Sequence, residues 1–186
     1  MVQKIIVLSG PSGVGKDAVI QTIIDKNGDF SVPVTMTSRP KRENEKNGED
    51  YYFVSNKEFE SSISNKELIE YSSVYEYYYG LPKKSMLEAL ATGKNILVRL
   101  DVKGSINMMK QYSNSVSIFI SPENMNQLFQ RINARNQENQ EEINRRMNIA
   151  IQEMAQANLF DHVVLNEDKQ LDTTAEIIMD LIRYSK

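Results

Sequence analysis

The chain has 186 residues, 22 basic and 25 acidic side chains for a net charge of −3, and 40% apolar residues, which suits one globular unit with its own core. That balance excludes a nucleic-acid binder working by bulk basicity, and the lack of cysteine excludes a disulfide framework or thiolate metal site. No apolar run reaches membrane-spanning length and no leader-like segment precedes the first strand, so we expect a cytoplasmic protein, monomer or homodimer, with no membrane or nucleic-acid partner.

Ile5 to Leu8 is a short apolar run rich in β-branched residues, as in a strand buried on both faces of a parallel sheet. It stops at Gly10, Gly13 and Gly15, and Lys16 opens a helix whose free N–H groups and positive dipole end face the turn. The spacing G-x-x-x-x-G-K is that of a loop cradling nucleotide phosphates, with the lysine reaching the β- and γ-phosphates. A plain strand-to-helix turn needs no lysine after three glycines. Asp17 stands where that pattern wants the Ser or Thr whose hydroxyl meets Mg²⁺; a carboxylate is also a hard ligand, so Asp17 is a candidate metal ligand.

Ala18, Ile20, Ile23 and Ile24 continue the helix to a stop near Asn27-Gly28. From Thr35 to Val54 the chain is polar, with an Asn47-Gly48 turn, and reads as loops and an antiparallel excursion outside the main sheet. Phe59, Ile63 and Leu68 to Tyr71 extend this lobe, and Tyr75 to Gly80 has strand character. Met86, Leu87 and Leu90 then mark a helix closed by Gly93, and Asn95 to Leu100 a second buried strand ending in Asp101. A helix over about Gly104 to Gln111 leads to a third strand, Ser115 to Ile120. Met125, Leu128, Phe129 and Ile132 mark a helix ending near Arg135; the polar stretch 136–142, expected to be mobile, precedes a long helix through Ala157. His162 to Leu165 is a last strand and Ala175 to Tyr184 a last helix. Strands alternating with helices predict an α/β fold with a doubly wound parallel sheet. His162, the only histidine, has no partner motif and reads as structural.

Transfer of a phosphoryl group between two nucleotides needs cations around both phosphate groups. Arg39 and Arg42 lie in the polar lobe, and Arg131, Arg135, Arg145 and Arg146 flank the 136–142 stretch. A single arginine is as often solvated surface charge, but guanidinium groups grip phosphate bidentately, and two clusters beside a phosphate loop favour that role.

Over nearly its whole length the chain resembles guanylate kinase. The matching pieces are Ser9-Gly-Pro-Ser-Gly-Val-Gly-Lys16, Thr37-Ser-Arg39, Arg42, Glu45, Asn47-Gly-Glu-Asp-Tyr-Tyr-Phe-Val-Ser55, Leu68-Ile-Glu70, Tyr78-Tyr-Gly80, Asp101, Arg135 and Glu142-Ile-Asn-Arg-Arg146. The resemblance implies a single domain, residues 1–186: a P-loop core (1–34, 82–124, 150–186), an inserted small α+β GMP-binding lobe (35–81) and a helical lid (125–149). It implies transfer of the ATP γ-phosphate to GMP with Mg²⁺. Ser9, Gly10, Pro11, Ser12, Gly13, Val14, Gly15, Lys16 and Asp17 then correspond to the ATP loop. Arg39, Arg42, Tyr51 and Tyr79 correspond to the grip on the GMP phosphate, with Glu45 in the same set. Glu70 corresponds to the carboxylate that accepts from guanine N1–H and the 2-amino group, and Thr35 to a hydroxyl beside the base. Asp101 matches a carboxylate at the strand tip by the acceptor, and Arg135 and Arg146 the lid arginines. Lys16, Arg39, Asp101, Arg135 and Arg146 form the implied catalytic set.

Two further positions depart from the family pattern. Leu81 replaces a base-contacting hydroxyl and cannot donate to the guanine oxygen, so the expectation is either weaker base discrimination or substitution by a neighbour such as Lys83; Arg99 replaces an acid two residues before Asp101. Strands of such a sheet deliver their C-terminal ends to one edge, so Asp17 and Arg99 are expected to be neighbours, as an ion pair or jointly ordering a Mg²⁺ shell. Two other readings compete: a sugar-phosphate kinase acting on ribose 1,5-bisphosphate, favoured by the Gly-Lys-Asp loop, and a non-catalytic binding module.

Overall fold

In a computed structural model describing residues 3–74, 76–133 and 140–185, five parallel strands form the main sheet: β1 (Ile5–Ser9), β2 (Phe30–Ser31), β7 (Asn95–Arg99), β8 (Val116–Pro122) and β9 (His162–Asn166), in the order β2-β7-β1-β8-β9. Alternation along β1 shows how it is covered. Ile6 and Leu8 enter a core with Val19, Ile20 and Ile23 of α1 (Lys16–Lys26) and Ala175, Ile178 and Ile182 of α7 (Leu171–Tyr184). Val7 faces the opposite layer, with Met86 and Ala89 of α3 (Lys83–Ala91) and Met108 of α4 (Val102–Gln111). The doubly wound prediction holds, because a strand buried on both faces reads as one apolar run.

The chain leaves this sheet at β3 (Thr35–Thr37) and returns through α3; between them β4 (Tyr51–Phe53), α2 (Asn56–Ser64), β5 (Leu68–Val74) and β6 (Tyr77–Pro82) build a second sheet in the order β4-β3-β6-β5. It is mixed rather than wholly antiparallel: β3 and β4 run parallel, Thr35 opposite Tyr51, because the 38–50 connection is long enough to carry the chain back. Gly48, at φ +82°, makes the turn before Tyr51. A Ser55–Glu58 capping box starts α2 and buries Phe59, on which Tyr78 stacks at 5.2 Å.

The rest are α5 (Met125–Asn133), α6 (Gln140–Met154) and a 3-10 turn, Ala157–Leu159. Arg135 and residues 136–139 of the stretch expected to be mobile lie outside the described residues. Phe129 and Leu87, which helped to mark their helices by apolar spacing, are exposed, since Leu128 and Ile132 take the buried stripe of α5 and Met86 and Ala89 that of α3. Helix α4 starts earlier than its apolar periodicity suggested, because Asp101 caps it: Oδ1 accepts from the Gly104 amide at 2.9 Å. Among the described residues no helix is long and apolar enough to cross a membrane.

Candidate active site

The glycine loop joins β1 to α1 in the shape its residues demand. Gly10 has φ +145°, and a Cβ there would lie 2.2 Å from the Ile120 carbonyl oxygen, so only glycine lets the loop cross the end of β8. Val14, fully buried, anchors the loop in the core, while its carbonyl accepts from Asn166 Nδ2 at 2.7 Å and Arg131 Nη1 at 2.9 Å. Ser9, also buried, donates to the Leu100 carbonyl. Replacing buried Asn166 with alanine orphans part of this anchorage and is expected to cost about 1–3 kcal/mol in urea unfolding.

Ser12, Gly13, Gly15, Lys16 and Asp17 form one wall of a cleft, and Thr35, Arg39, Arg42, Tyr51, Val74, Tyr79 and Gly80 the other, with Arg99, Leu100, Asp101 and Glu153 between. Lys16 Nζ donates to the Gly10 and Pro11 carbonyls. Burial pulls its ammonium below the usual range, opposed by Glu153, Asp17 and Asp101.

Arg39 is held from behind. Glu45 does not line the cleft; it accepts from Arg39 Nη1 at 2.9 Å and Nη2 at 2.7 Å, and from the Arg42 amide at 2.8 Å. Burial works to raise the Glu45 carboxyl, but these bonds leave it below its ordinary value. The Arg39 guanidinium sits 5.6 Å from the Tyr51 ring centre and 5.5 Å from that of Phe53. Burial pushes the Tyr51 phenol up to about 12 and raises that of Tyr79, so both stay protonated near neutrality, able to donate to an anion.

Thr35 Oγ1 lines the cleft, buried and without a hydrogen-bond partner. Glu70 does not line the cleft but a separate groove between β5 and α4; its side chain is buried and neither carboxylate oxygen has a partner. A Cβ on Gly104 would lie 2.5 Å from Glu70 Oε2, so the glycine makes its room. Burial, with Asp101 second, raises the Glu70 carboxyl to about 8. Ser72 Oγ, on the same face of β5, donates to Asp101 Oδ2.

Asp17 and Arg99 are neighbours as expected: Nη1 and Oδ1 are 2.6 Å apart. Other sequence expectations are redirected. Leu81 is fully buried with Val98, Leu100 and Met108, and Lys83 lines other grooves. Lys83 therefore does not reach the cleft as a substitute donor, and Leu81→Ser is expected to lose about 3 kcal/mol of stability, read by thermal and urea unfolding. Arg131 serves the loop rather than the cleft, and Arg145 pairs with Glu76 of the lobe at 3.1 Å. Arg146, buried on α6, donates to Ser12 Oγ at 2.8 Å. Glu153, seven residues along the same helix, accepts from the Ser12 amide at 3.3 Å; the sequence reading missed it, although that spacing puts it on the face of Arg146.

The guanylate kinase family model matches residues 2–185. The chain is 38% identical over 183 residues to a guanylate kinase of Lactiplantibacillus plantarum, covering 98% of this chain and 88% of that protein. It is 38% identical over 164 residues to one of Carboxydothermus hydrogenoformans, covering 88% and 80%. The crystal structure of guanylate kinase from Anaplasma phagocytophilum superposes with a TM-score of 0.79 at 31% identity, over 98% of this chain and 85% of that one. A match of that extent, on a cleft with a phosphate loop on one wall and arginines and tyrosines on the other, places the chain in the guanylate kinase family.

Proposed function

We propose that the protein transfers the γ-phosphoryl group of ATP to GMP, and to dGMP, giving ADP and the nucleoside diphosphate. The observation that carries this reading is that Lys16 and the set Arg39, Arg42, Tyr51 and Tyr79 face one another across a single cleft. On one wall the loop from Ser9 to Asp17 holds the donor triphosphate through its amides and Lys16. On the other, two guanidinium groups and two protonated phenols hold the acceptor phosphate. An acceptor phosphate oxygen forms the new bond to the γ-phosphorus while the bond to the β-bridging oxygen breaks, and its electron pair leaves on ADP. The nucleophile is already an anion, so no general base is needed; the protein aligns the groups and neutralises charge. Arg146 and Arg135 supply further positive charge from the lid, residues 125–149.

Guanine recognition falls to Glu70 and Thr35. A buried carboxylate without partners, and a buried hydroxyl without one, are acceptors for the N1–H and 2-amino donors of guanine. Asp101, which adjoins Glu70 and lines the cleft, holds the junction between base and phosphate sites.

The cleft carboxylates, Asp17 the most exposed, are hard oxygen donors of the kind that suit Mg²⁺, although among the described residues no three carboxylates gather into a metal cluster. Asp17 is the residue that would hold such an ion, which would neutralise charge on the donor phosphates. Purine nucleotide metabolism in the cytoplasm is the setting this activity implies.

The test is one coupled ADP-release assay with GMP, dGMP, AMP and ribose 1,5-bisphosphate as acceptors. GMP should give the highest kcat/KM, dGMP next, and the other two little above the ATPase background. Faster turnover of ribose 1,5-bisphosphate would replace this reading with the sugar-phosphate one, which the family relationship does not favour.

A further inference from the structure

Arg99 lies between the two walls of the cleft and touches both. Its side chain is 12% exposed. Nη1 meets Asp17 in the first turn of α1, immediately after the phosphate-loop lysine. Nη2 donates to the carbonyl of Asp50, the residue leading into β4, and the guanidinium lies 4.4 Å from the centre of the Tyr51 ring. Nε is buried and has no hydrogen-bond partner. The residue sits at the tip of β7, paired with Leu8 of β1 just before the loop, so its own backbone belongs to the rigid core. One planar group thus ties core, donor loop and acceptor lobe together. The Tyr51 ring that Arg99 covers also lies beside Arg39 and, at 6.3 Å edge-on, Tyr79.

We propose that Arg99 is a positioning residue that couples the donor loop to the acceptor site: seated at the tip of β7 and bonded to Asp17, it sets the Asp50–Tyr51 segment, and through it the phosphate-binding tyrosines. The inference rests on the kinase reading above. Its particular consequence is that Asp17, on the donor side of the cleft, governs affinity on the acceptor side. Lysine cannot replace Arg99, because a compact ammonium cannot bind two oxygens as a fork and also lie flat on a ring.

The experiment is calorimetric titration of GMP, alone and with a non-hydrolysable ATP analogue, into wild type, Asp17→Asn, Arg99→Lys and the double variant, each checked for folding by circular dichroism. Arg99→Lys should weaken GMP binding about tenfold and Asp17→Asn about fivefold. The double variant should be no weaker than Arg99→Lys alone, and the KM for GMP should rise more than kcat falls. Any gain in GMP affinity conferred by the ATP analogue on wild type should shrink in all three variants. GMP affinities within twofold of wild type in both single variants, or factors that multiply in the double variant, would overturn the coupling while leaving the kinase reading intact. Wild-type protein that does not bind GMP would overturn both.

Discussion

Glu70→Gln is expected to lower kcat/KM for GMP by roughly 10³ at pH 8 while making the protein more stable, because one buried carboxyl serves the substrate at the expense of the fold. Glutamine offers one acceptor and one donor group where guanine presents two donors, so the amide meets a like group. The stability effect has a definite sign. The carboxyl ionises near 4.5 in the unfolded chain and near 8 in the folded one, since it is desolvated and shares its surroundings with Asp101. Between those values the folded state retains a proton that the unfolded state has lost. Stability is therefore highest below the lower value, falls as pH rises through the window and levels off above about 8. The slope approaches roughly 1.4 kcal/mol per pH unit in mid-window. Glutamine does not titrate, so urea unfolding of the two proteins at pH 5.5, 7 and 8.5 should show the variant's advantage growing with pH. The same proton opposes guanine, which needs the ionised form. GMP affinity of wild type should improve by up to about tenfold per pH unit towards 8 and then level off, with a proton released per GMP bound below 8. Calorimetry in two buffers of different ionisation enthalpy reads that proton directly. A flat pH profile with no proton release would remove Glu70 from the binding step.

How far the site could be read before the fold was known follows from which interactions are local. The phosphate loop was legible because an apolar strand, three glycines and a lysine lie contiguously, and the φ of Gly10 and its approach to Ile120 are the reasons those glycines exist. The Asp17–Arg99 pair was legible because a parallel sheet aligns strand ends, and the Leu8–Arg99 register puts the arginine at the loop. The reach of Arg99 to Asp50 and Tyr51 was not, since it depends on how the second sheet docks, which no local pattern encodes. Nor was the division of labour among Arg131, Arg145 and Arg146. Charge and spacing show only that Arg131, Arg145 and Arg146 flank one polar stretch, and it is helix phase and packing that send Arg131 to Val14 and Arg146 to Ser12. Leu81 was recognised as incapable of donating a hydrogen bond; that its side chain belongs to an apolar cluster under β6 appears only once that layer is assembled.

Arg39→Ala should be the most damaging change on the acceptor wall, lowering kcat/KM for GMP by about 10³ or more, because it removes a preorganised cation from the transferring phosphates. Arg39 is fixed before substrate arrives: both Nη atoms are bonded to Glu45, and the guanidinium lies near two aromatic rings. This preorganisation separates its role from simple attraction. Arg39→Lys keeps the charge but loses the fork, so it should recover no more than about tenfold of the loss. Glu45→Gln leaves the arginine in place but slackens its hold, with an expected fall of about tenfold, mostly in kcat, as the guanidinium wanders from the attacking geometry. Steady-state kinetics with ATP saturating, and GMP varied over a hundredfold range around its KM, distinguishes the three. If Glu45→Gln proves as damaging as Arg39→Ala, Glu45 has a direct part in binding GMP. If Arg39→Lys restores full activity, bulk charge alone suffices and the fork is dispensable.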